Sequence, residues 1–315
     1  MKYNPPQFTK LEDMAFIDVC RLTEEQALSI LEDIRWPDGP VCPHCGSVRV
    51  TRLKSDCQKV RDGLIQCNDC RKQFTVMVGT IMHRSHITYR QWIQAFHSMC
   101  SHKKGVSALQ LQRNLGLHSY QSAWHLGHRI RLAMQKDPLL SQLKGIVEVD
   151  ETYIGGKAHG KRGRGAANKT IIQALVERGG KVKAKPVKTI STKELQTAIR
   201  KNVSNNSTII TDELPSYNGI GKTFIGGHKT FDHSKGQYAK GKYRQIHVNS
   251  AESYFALLKR GIHGTFHHVS PTHLDQYCDE FSFRWNHREI TDGERTVETI
   301  KVIEGKRLMY WDSCK

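Results

Sequence analysis

Between Leu11 and Arg35 the apolar residues Ala15, Phe16, Val19, Leu22, Ala27, Leu28 and Leu31 recur largely three or four apart, the period of one helix face. Thr23 stands where a cap before Glu24 to Ile34 belongs, and Trp36-Pro37-Asp38-Gly39-Pro40 breaks the pattern. The stretch 41–80 holds only short apolar pieces such as Gln73 to Val78, too few for a core unless something staples them. From Ile87 to Gln135 the helical period returns, with Trp92, Phe96 and Met99 on one face. The runs SALQLQRNLGL and YQSAWHLGHRIRLAM follow as two consecutive helices joined by a short turn at Gly116.

Beyond Pro138 the period shortens to that of strands. Ile146 to Tyr153, Thr170 to Glu177 and Val182 to Ile190, the last two separated by a Gly179-Gly180 turn, are rich in β-branched residues. Ser191 caps a helix, TKELQTAIRKNV, and a fourth strand, Thr208 to Thr211, precedes Asp212 and a short helix-like LPSYNGI. A fifth strand is expected near His228 to Phe231, then a loop rich in glycine and lysine, and helices over about 250–260 and 272–286. An antiparallel opening followed by parallel crossovers is the α/β layout of an RNase H-like domain.

Charge narrows the partners. Lys+Arg exceed Asp+Glu by 48 to 30, giving +18 over 315 residues, an imbalance that suits a polyanion such as nucleic acid. No apolar run approaches the roughly 18–20 residues of a membrane span, and MKYNPPQFTKLEDM lacks the apolar segment of a secretory signal. A cytoplasmic, nucleoid-associated location and no membrane partner are therefore expected. Nine cysteines, four of them in two Cys-x-x-Cys pairs, fit a reducing compartment with a metal site. Cys42-Pro43-His44-Cys45 and Cys67-Asn68-Asp69-Cys70, with 21 residues between Cys45 and Cys67, offer four sulfurs to a tetrahedral Zn²⁺, as in zinc ribbons. Four buried, unmetallated thiols are the plainer alternative. Lys54, Lys59, Arg61, Arg71 and Lys72 flank the knuckles as a DNA-facing or merely solvated surface. The zinc would be the staple that segment 41–80 lacks.

The helical pair has the spacing of a helix-turn-helix, with Ser119 as a cap and Gln121, Ser122, His125, Arg129 and Arg131 available to a groove or to phosphates. Plain packing is the competing explanation. Three acids define the other candidate chemistry: Asp150 in GIVEVDETYIGG, Asp212 in STIITDELPSYNG and Glu252 in HVNSAESYFALLKRG. Hard divalent cations take oxygen ligands, and two of them can clamp the attacking and leaving oxygens of a phosphodiester. Alternation along Val147 to Glu151 sets Glu148 and Asp150 on one strand face and Glu151 on the other, which leaves the partner of Asp150 open. Lys259, seven residues after Glu252, lies on the same helical face. Gly155 to Gly165 could close on a DNA backbone or stand as a solvated insertion, and His263, His267 and His268 lack a regular ligand spacing.

The blocks VEVDETYIGGK, TDELPSYNGI and HVNSAESYFALLKRGIHGTFHHVSPTHLDQYCDEFSFRWN resemble those of DDE-type transposases of the ISXO-like insertion sequences, and RWPDGPVCPHCGS resembles their zinc-ribbon block. The likeness spans about residues 20 to 290. It implies an RNase H-like catalytic domain, Mg²⁺ (or Mn²⁺) dependence, action on terminal inverted repeats, and double-stranded DNA at element ends and target as partner. By the same resemblance Asp150, Asp212 and Glu252 take the acid positions, Asn249 the asparagine that accompanies the third, and Lys259 the following lysine. Family members commonly work as homo-oligomers on DNA. The expected organisation is a helical segment at 1–36, a zinc ribbon at 37–82, a helix-turn-helix-like segment at 83–140, the catalytic domain at 141–290 and a tail at 291–315. A catalytically inactive zinc-ribbon regulator and a structure-selective nuclease of the same fold are the alternatives.

Overall fold

The computed structural model describes residues 10–53, 60–135, 142–156, 169–230 and 246–313. Lys54, Cys57, Lys59, Cys314, all but the first two residues of the 155–165 loop, and the glycine- and lysine-rich loop before Ile246 lie outside them. The chain divides into two compact units, Met1–Met134 with Glu289–Lys315, and Gln135–Arg288.

In the second unit, strands β4 (Ile146–Gly155), β5 (Lys169–Glu177), β6 (Val182–Val187), β7 (Thr208–Thr211) and β8 (His228–Thr230) form one sheet in the order β6-β5-β4-β7-β8. β5 runs antiparallel to both β4 and β6, whereas β7 is parallel to β4 and β8 parallel to β7. The β-branched runs of the sequence are these strands. A sheet whose centre is parallel needs both faces covered. Helix α6 (Thr192–Asn202), capped by Ser191, buries Leu195 and Ile199 against Val147, Val149, Leu175 and Ile209 on one face. On the other, α7 (Asn249–Gly261) and α8 (Leu274–Asn286) bury Tyr254, Phe255, Leu258 and Phe281 against Ile154, Ile172, Ala174 and Ile210. Successive β4 residues therefore serve different layers, the odd-numbered Val147 and Val149 facing α6 and the even-numbered positions facing α7.

The first unit opens with a 3-10 turn, Leu11–Asp13, then α1 (Phe16–Arg21) and α2 (Glu24–Arg35). The single helical segment expected over 11–35 is thus broken at Leu22, because the Thr23 hydroxyl accepts from the Gln26 amide and starts a new helix. Three short strands, β1 (Val50–Arg52), β2 (Ile65–Cys67) and β3 (Gln73–Phe74), form an antiparallel sheet. Helix α3 (Tyr89–Ser101) fully buries Trp92, Ile93, Phe96 and Met99. Helices α4 (Ala108–Leu115) and α5 (Tyr120–Met134) are joined by a tight turn in which Gly116 takes φ +63°, the left-handed value that ends a helix.

Where the sequence pattern left only a tail at 291–315, the structure has helix α9 (Asp292–Lys301), followed by a short α10 (Tyr310–Ser313). Thr291 and Glu294 form a capping box, a signal present in the sequence, and α9 packs against α3 and the Leu11–Asp13 turn. Arg35 donates to Glu304 at 3.1 Å, and the Cys100 thiol lies 3.3 Å from the Thr299 hydroxyl. The closest approach in this corner is at Gly293, where an added Cβ would collide with the carbonyl oxygens of Leu11 and Glu12. Backbone cannot yield as a side-chain tip can. Gly293→Ala is expected to destabilise the first unit by about 1–3 kcal/mol, read as a lower midpoint in its thermal unfolding; an unchanged midpoint would contradict this packing.

Candidate functional site

Parallel pairing of β4 with β7 aligns Val149 with Thr211. Asp150 and Asp212 each follow one residue later, so the two carboxylates leave neighbouring strands at the same level and on the same face. Two features hold Asp212 there. Its Oδ1 accepts the Leu214 amide at 3.1 Å, and Thr211 Oγ1 lies 2.9 Å from His228 Nε2 on β8. The Asp150 carboxylate accepts the Glu151 amide at 2.8 Å.

Glu252 lies in the first turn of α7, where the helix dipole favours a carboxylate, and Lys259 lies in its last turn. The field at Asp150 registers the gathering. Its carboxyl is pushed up to about 7, first by burial and then by the charges of Asp212 and Glu252, while the Glu151 amide and Lys259 pull it down. Asn249 begins α7 and is exposed. The acids are nonetheless looser than a closed ligand set, since among the described residues only the cysteine group below has all its ligand atoms within 4.8 Å of one another. The donor set still fits hard divalent cations: three carboxylates whose mutual repulsion a cation would relieve, on a strand, a strand end and a helix start.

Glu148, on the same face as Asp150, resolves the ambiguity left by alternation. It is fully buried. One oxygen accepts from Arg178 Nε at 2.7 Å, and the other from the Ser250 and Ala251 amides at 2.7 and 3.3 Å. Arg178 also donates to the His247 carbonyl at 3.1 Å. Glu148 therefore caps the N-terminus of α7 from another strand. Local rules miss it because the residue at the cap position, Val248, has no oxygen to offer.

The helical pair divides the residues assigned to DNA. Gln121 and Ser122 are exposed in the first turn of α5, and His125 is half-buried with its ring edge-on to Tyr310. Arg129 and Arg131 are only 6% and 4% exposed, so the availability expected of them from sequence is corrected. Arg129 donates to the His83 carbonyl and lies over the Trp92 ring, and burial pulls its guanidinium down to about 10. Nothing in the sequence pattern separates a buried arginine that binds a carbonyl from an exposed one. The His263, His267 and His268 stretch forms no metal group among the described residues.

In the first unit the ligand atoms of Cys42, Cys45, Cys67 and Cys70 lie within 4.8 Å of one another. Cys42 and Cys70 sulfurs are 3.7 Å apart, and those of Cys45 and Cys67 are 3.6 Å apart. A tetrahedron with Zn–S bonds of about 2.3 Å has edges near 3.8 Å, so the pocket fits zinc. Both knuckles turn alike, with Gly46 at φ +75° and Arg71 at φ +60° immediately after the second cysteine. Amides of Cys70 and Asp69 draw the Cys67 thiol down to about 7, whereas Cys45, despite the Ser47 amide, is pushed up to about 12 by burial and its three sulfur neighbours. Chelation of zinc is expected to abolish hydrogen-exchange protection across Ile65–Cys67 while leaving β4 and β5 protected; retained protection would refute a structural metal.

Residues 142–286 match the ISXO2-like transposase domain, and residues 22–73 match a transposase zinc-ribbon domain. A protein described as an uncharacterized protein in transposable element ISH50 of Halobacterium salinarum is 26% identical over 297 residues, covering 89% of this chain and 96% of the relative. Among solved structures, a pre-cleavage Mos1 transpososome aligns with a TM-score of 0.25 at 14% identity, over 68% of this chain and 79% of that one. A Mos1 transposase paired-end complex with left transposon end gives 0.24 at 13%, over 67% and 80%. Superpositions that loose say nothing about a shared fold. The two domain matches follow one another in the order ribbon then catalytic domain, and the ISH50 relative aligns across both: the chain belongs to the DDE-type insertion-sequence transposases of the ISXO-like group, with an N-terminal zinc ribbon.

Proposed function

We propose that the protein binds the terminal inverted repeats of its element and catalyses metal-dependent strand cleavage followed by strand transfer. The observation that carries this reading is the side-by-side exit of Asp150 and Asp212 from paired parallel strands, with Glu252 and Lys259 within electrostatic reach. The sheet order β6-β5-β4-β7-β8, with its antiparallel half and parallel half, supports an RNase H-like assignment for this unit. Asp150, Asp212 and Glu252 would hold Mg²⁺ or Mn²⁺, which when bound polarises the phosphodiester and activates the attacking oxygen. Asn249, at the start of α7, adds a neutral oxygen beside Glu252, and Lys259 supplies a positive charge toward a phosphate.

Cleavage adds water across the P–O3′ bond, leaving a 3′-hydroxyl on the element and a 5′-phosphate on the flank. Transfer then exchanges esters, the 3′-oxygen displacing another 3′-oxygen from a target phosphate. No external energy source is needed for either step. In the first unit, the ribbon and the α4–α5 pair present Gln121, Ser122 and His125 to DNA, and Arg129 and Arg131 act from within as structural supports. The net charge of +18 supplies the sequence-independent part of the affinity. Assembly as a homo-oligomer on paired ends is part of the same reading.

Asp150→Asn and Asp212→Asn are each expected to lower Mg²⁺-dependent cleavage of a terminal-repeat duplex by more than about 100-fold, beyond the usual cost of losing an outer partner. Mobility-shift binding of the repeat should persist. Cleavage at the wild-type rate by either variant would sink the reading. Binding without cleavage by the wild type would point to a regulator, and cleavage without joining of pre-cut ends to a plasmid would point to a nuclease.

A second consequence concerns the metal-free protein. The Asp150 carboxyl sits at about 7 in the folded state against 3.8 for the free group, so the native state holds its proton more tightly than the unfolded state. Its contribution to stability is therefore greatest at low pH and is lost as pH rises from about 4 to about 7. Asn has no such penalty. Without metal, Asp150→Asn should unfold later than wild type at pH 8, by on the order of 1–4 kcal/mol, and the advantage should vanish near pH 4. Calorimetry of the second unit's transition decides it, and a wild type that is the more stable at pH 8 contradicts the crowding described above.

A further inference from the structure

We propose that Glu148 is a positioning residue for the metal site, locking the first turn of α7 to β4 so that Asn249 and Glu252 are held against Asp150. The inference rests on the metal-site reading and deepens it. Four observations converge on this carboxylate. It is fully buried, an expensive place for a charge unless every lone pair is used. Its partners are the Arg178 guanidinium at 2.7 Å and the amides of Ser250 and Ala251 at 2.7 and 3.3 Å, so it is used on both oxygens. Those amides lie between Asn249 and Glu252 in sequence, in a helix turn whose own cap residue is Val248 and contributes no side-chain bond. Glu148 is also two residues from Asp150 on one strand face, so a single rigid segment carries both the first acid and the anchor of the third.

Arg178 extends the clamp. Besides Glu148 it donates to the His247 carbonyl at 3.1 Å, and its own amide donates to the Ile146 carbonyl at 2.9 Å. The chain entering α7 is thereby tied at His247 by the same guanidinium that neutralises Glu148. Without this tie, Glu252 would depend for its position on the apolar packing of Tyr254 and Leu258, one and two turns farther along. Packing fixes the helix axis less tightly than it fixes burial. A charge-assisted bond at the helix terminus fixes both its height and its rotation.

The test uses Mn²⁺ binding to the full-length protein, followed by titration calorimetry without DNA, for Glu148→Gln, Glu148→Ala, Asp150→Asn, Glu252→Gln and the Glu148→Gln/Glu252→Gln double variant. Circular dichroism and repeat-DNA binding monitor folding, and Glu148→Gln, which keeps shape and an acceptor, stands in if the alanine variant does not fold. Glu148→Gln is expected to weaken Mn²⁺ binding by about 10–100-fold, as outer-shell partners do. In the Glu252→Gln background it should cost little more, because both changes then remove the same ligand. A role confined to stability would lower the melting temperature and leave Mn²⁺ affinity unchanged, which would overturn the proposal. Full additivity with Glu252→Gln would also overturn it. Should Asp150→Asn bind Mn²⁺ as the wild type does, the metal-site reading itself fails and the role of Glu148 falls with it.

Discussion

The parallel pairing of β4 with β7 is the constraint on which the second unit depends. A parallel pair cannot be joined by a hairpin, so the chain must run through β5, β6 and α6 before returning beside β4. That detour builds one covering layer and leaves the other face for α7 and α8. It also brings two residues 62 positions apart to the same level of adjacent strands, Asp150 beyond Val149 and Asp212 beyond Thr211. A one-residue slip in either strand would turn one carboxylate into the α6 layer, where Val147, Val149 and Ile209 pack with Leu195 and Ile199. Register is thus enforced by the apolar alternation, and the acids are placed as its by-product.

The first unit solves a different problem. Among its described residues segment 41–80 makes three short strands, and those buried there, Ile65, Phe74 and Val76 among them, are too few to hold a sheet alone. Four sulfurs gathered within 4.8 Å of one another offer a zinc ion the place from which it would cross-link them. The helical part of the unit is completed from the far end of the chain, where α9 lies against α3 and Glu304 meets Arg35. Residues 289–315 are therefore part of this unit's packing and not an appendage.

Much of this was legible from periodicity. Strands β4, β5 and β7, helices α6 and α7, and the Cys pairs stand out because each obeys a rule that reads over neighbouring residues. What stayed hidden depends on contacts between distant positions. Alternation could set Glu148 beside Asp150 but could not say that Ser250 and Ala251, more than a hundred residues on, take up its charge. The break at Leu22 was legible in Thr23 and Gln26, and α9 in Thr291 and Glu294, since capping boxes are local. Arg129 and Arg131 misled because an arginine in an amphipathic helix is usually solvated, and only the fold brings the His83 carbonyl and Trp92 ring to Arg129.

Charge finally separates two tasks that a single net value conceals. A net charge of +18 suits a polyanionic partner, yet a site that would hold divalent cations needs the opposite sign at one place. The second unit meets this by crowding: Asp150 is raised to about 7 by burial and by the neighbouring Asp212 and Glu252, and Lys259 offsets only part of that. Glu148 adds no further repulsion, because Arg178 and two helix amides already compensate it. The carboxylate that Arg178 compensates ties the start of α7 to β4, while two residues along the same strand the Asp150 carboxyl is raised beside Asp212 and Glu252. That division, within one face of one strand, concentrates acid at one place in a strongly basic protein, as the proposed divalent-cation site requires.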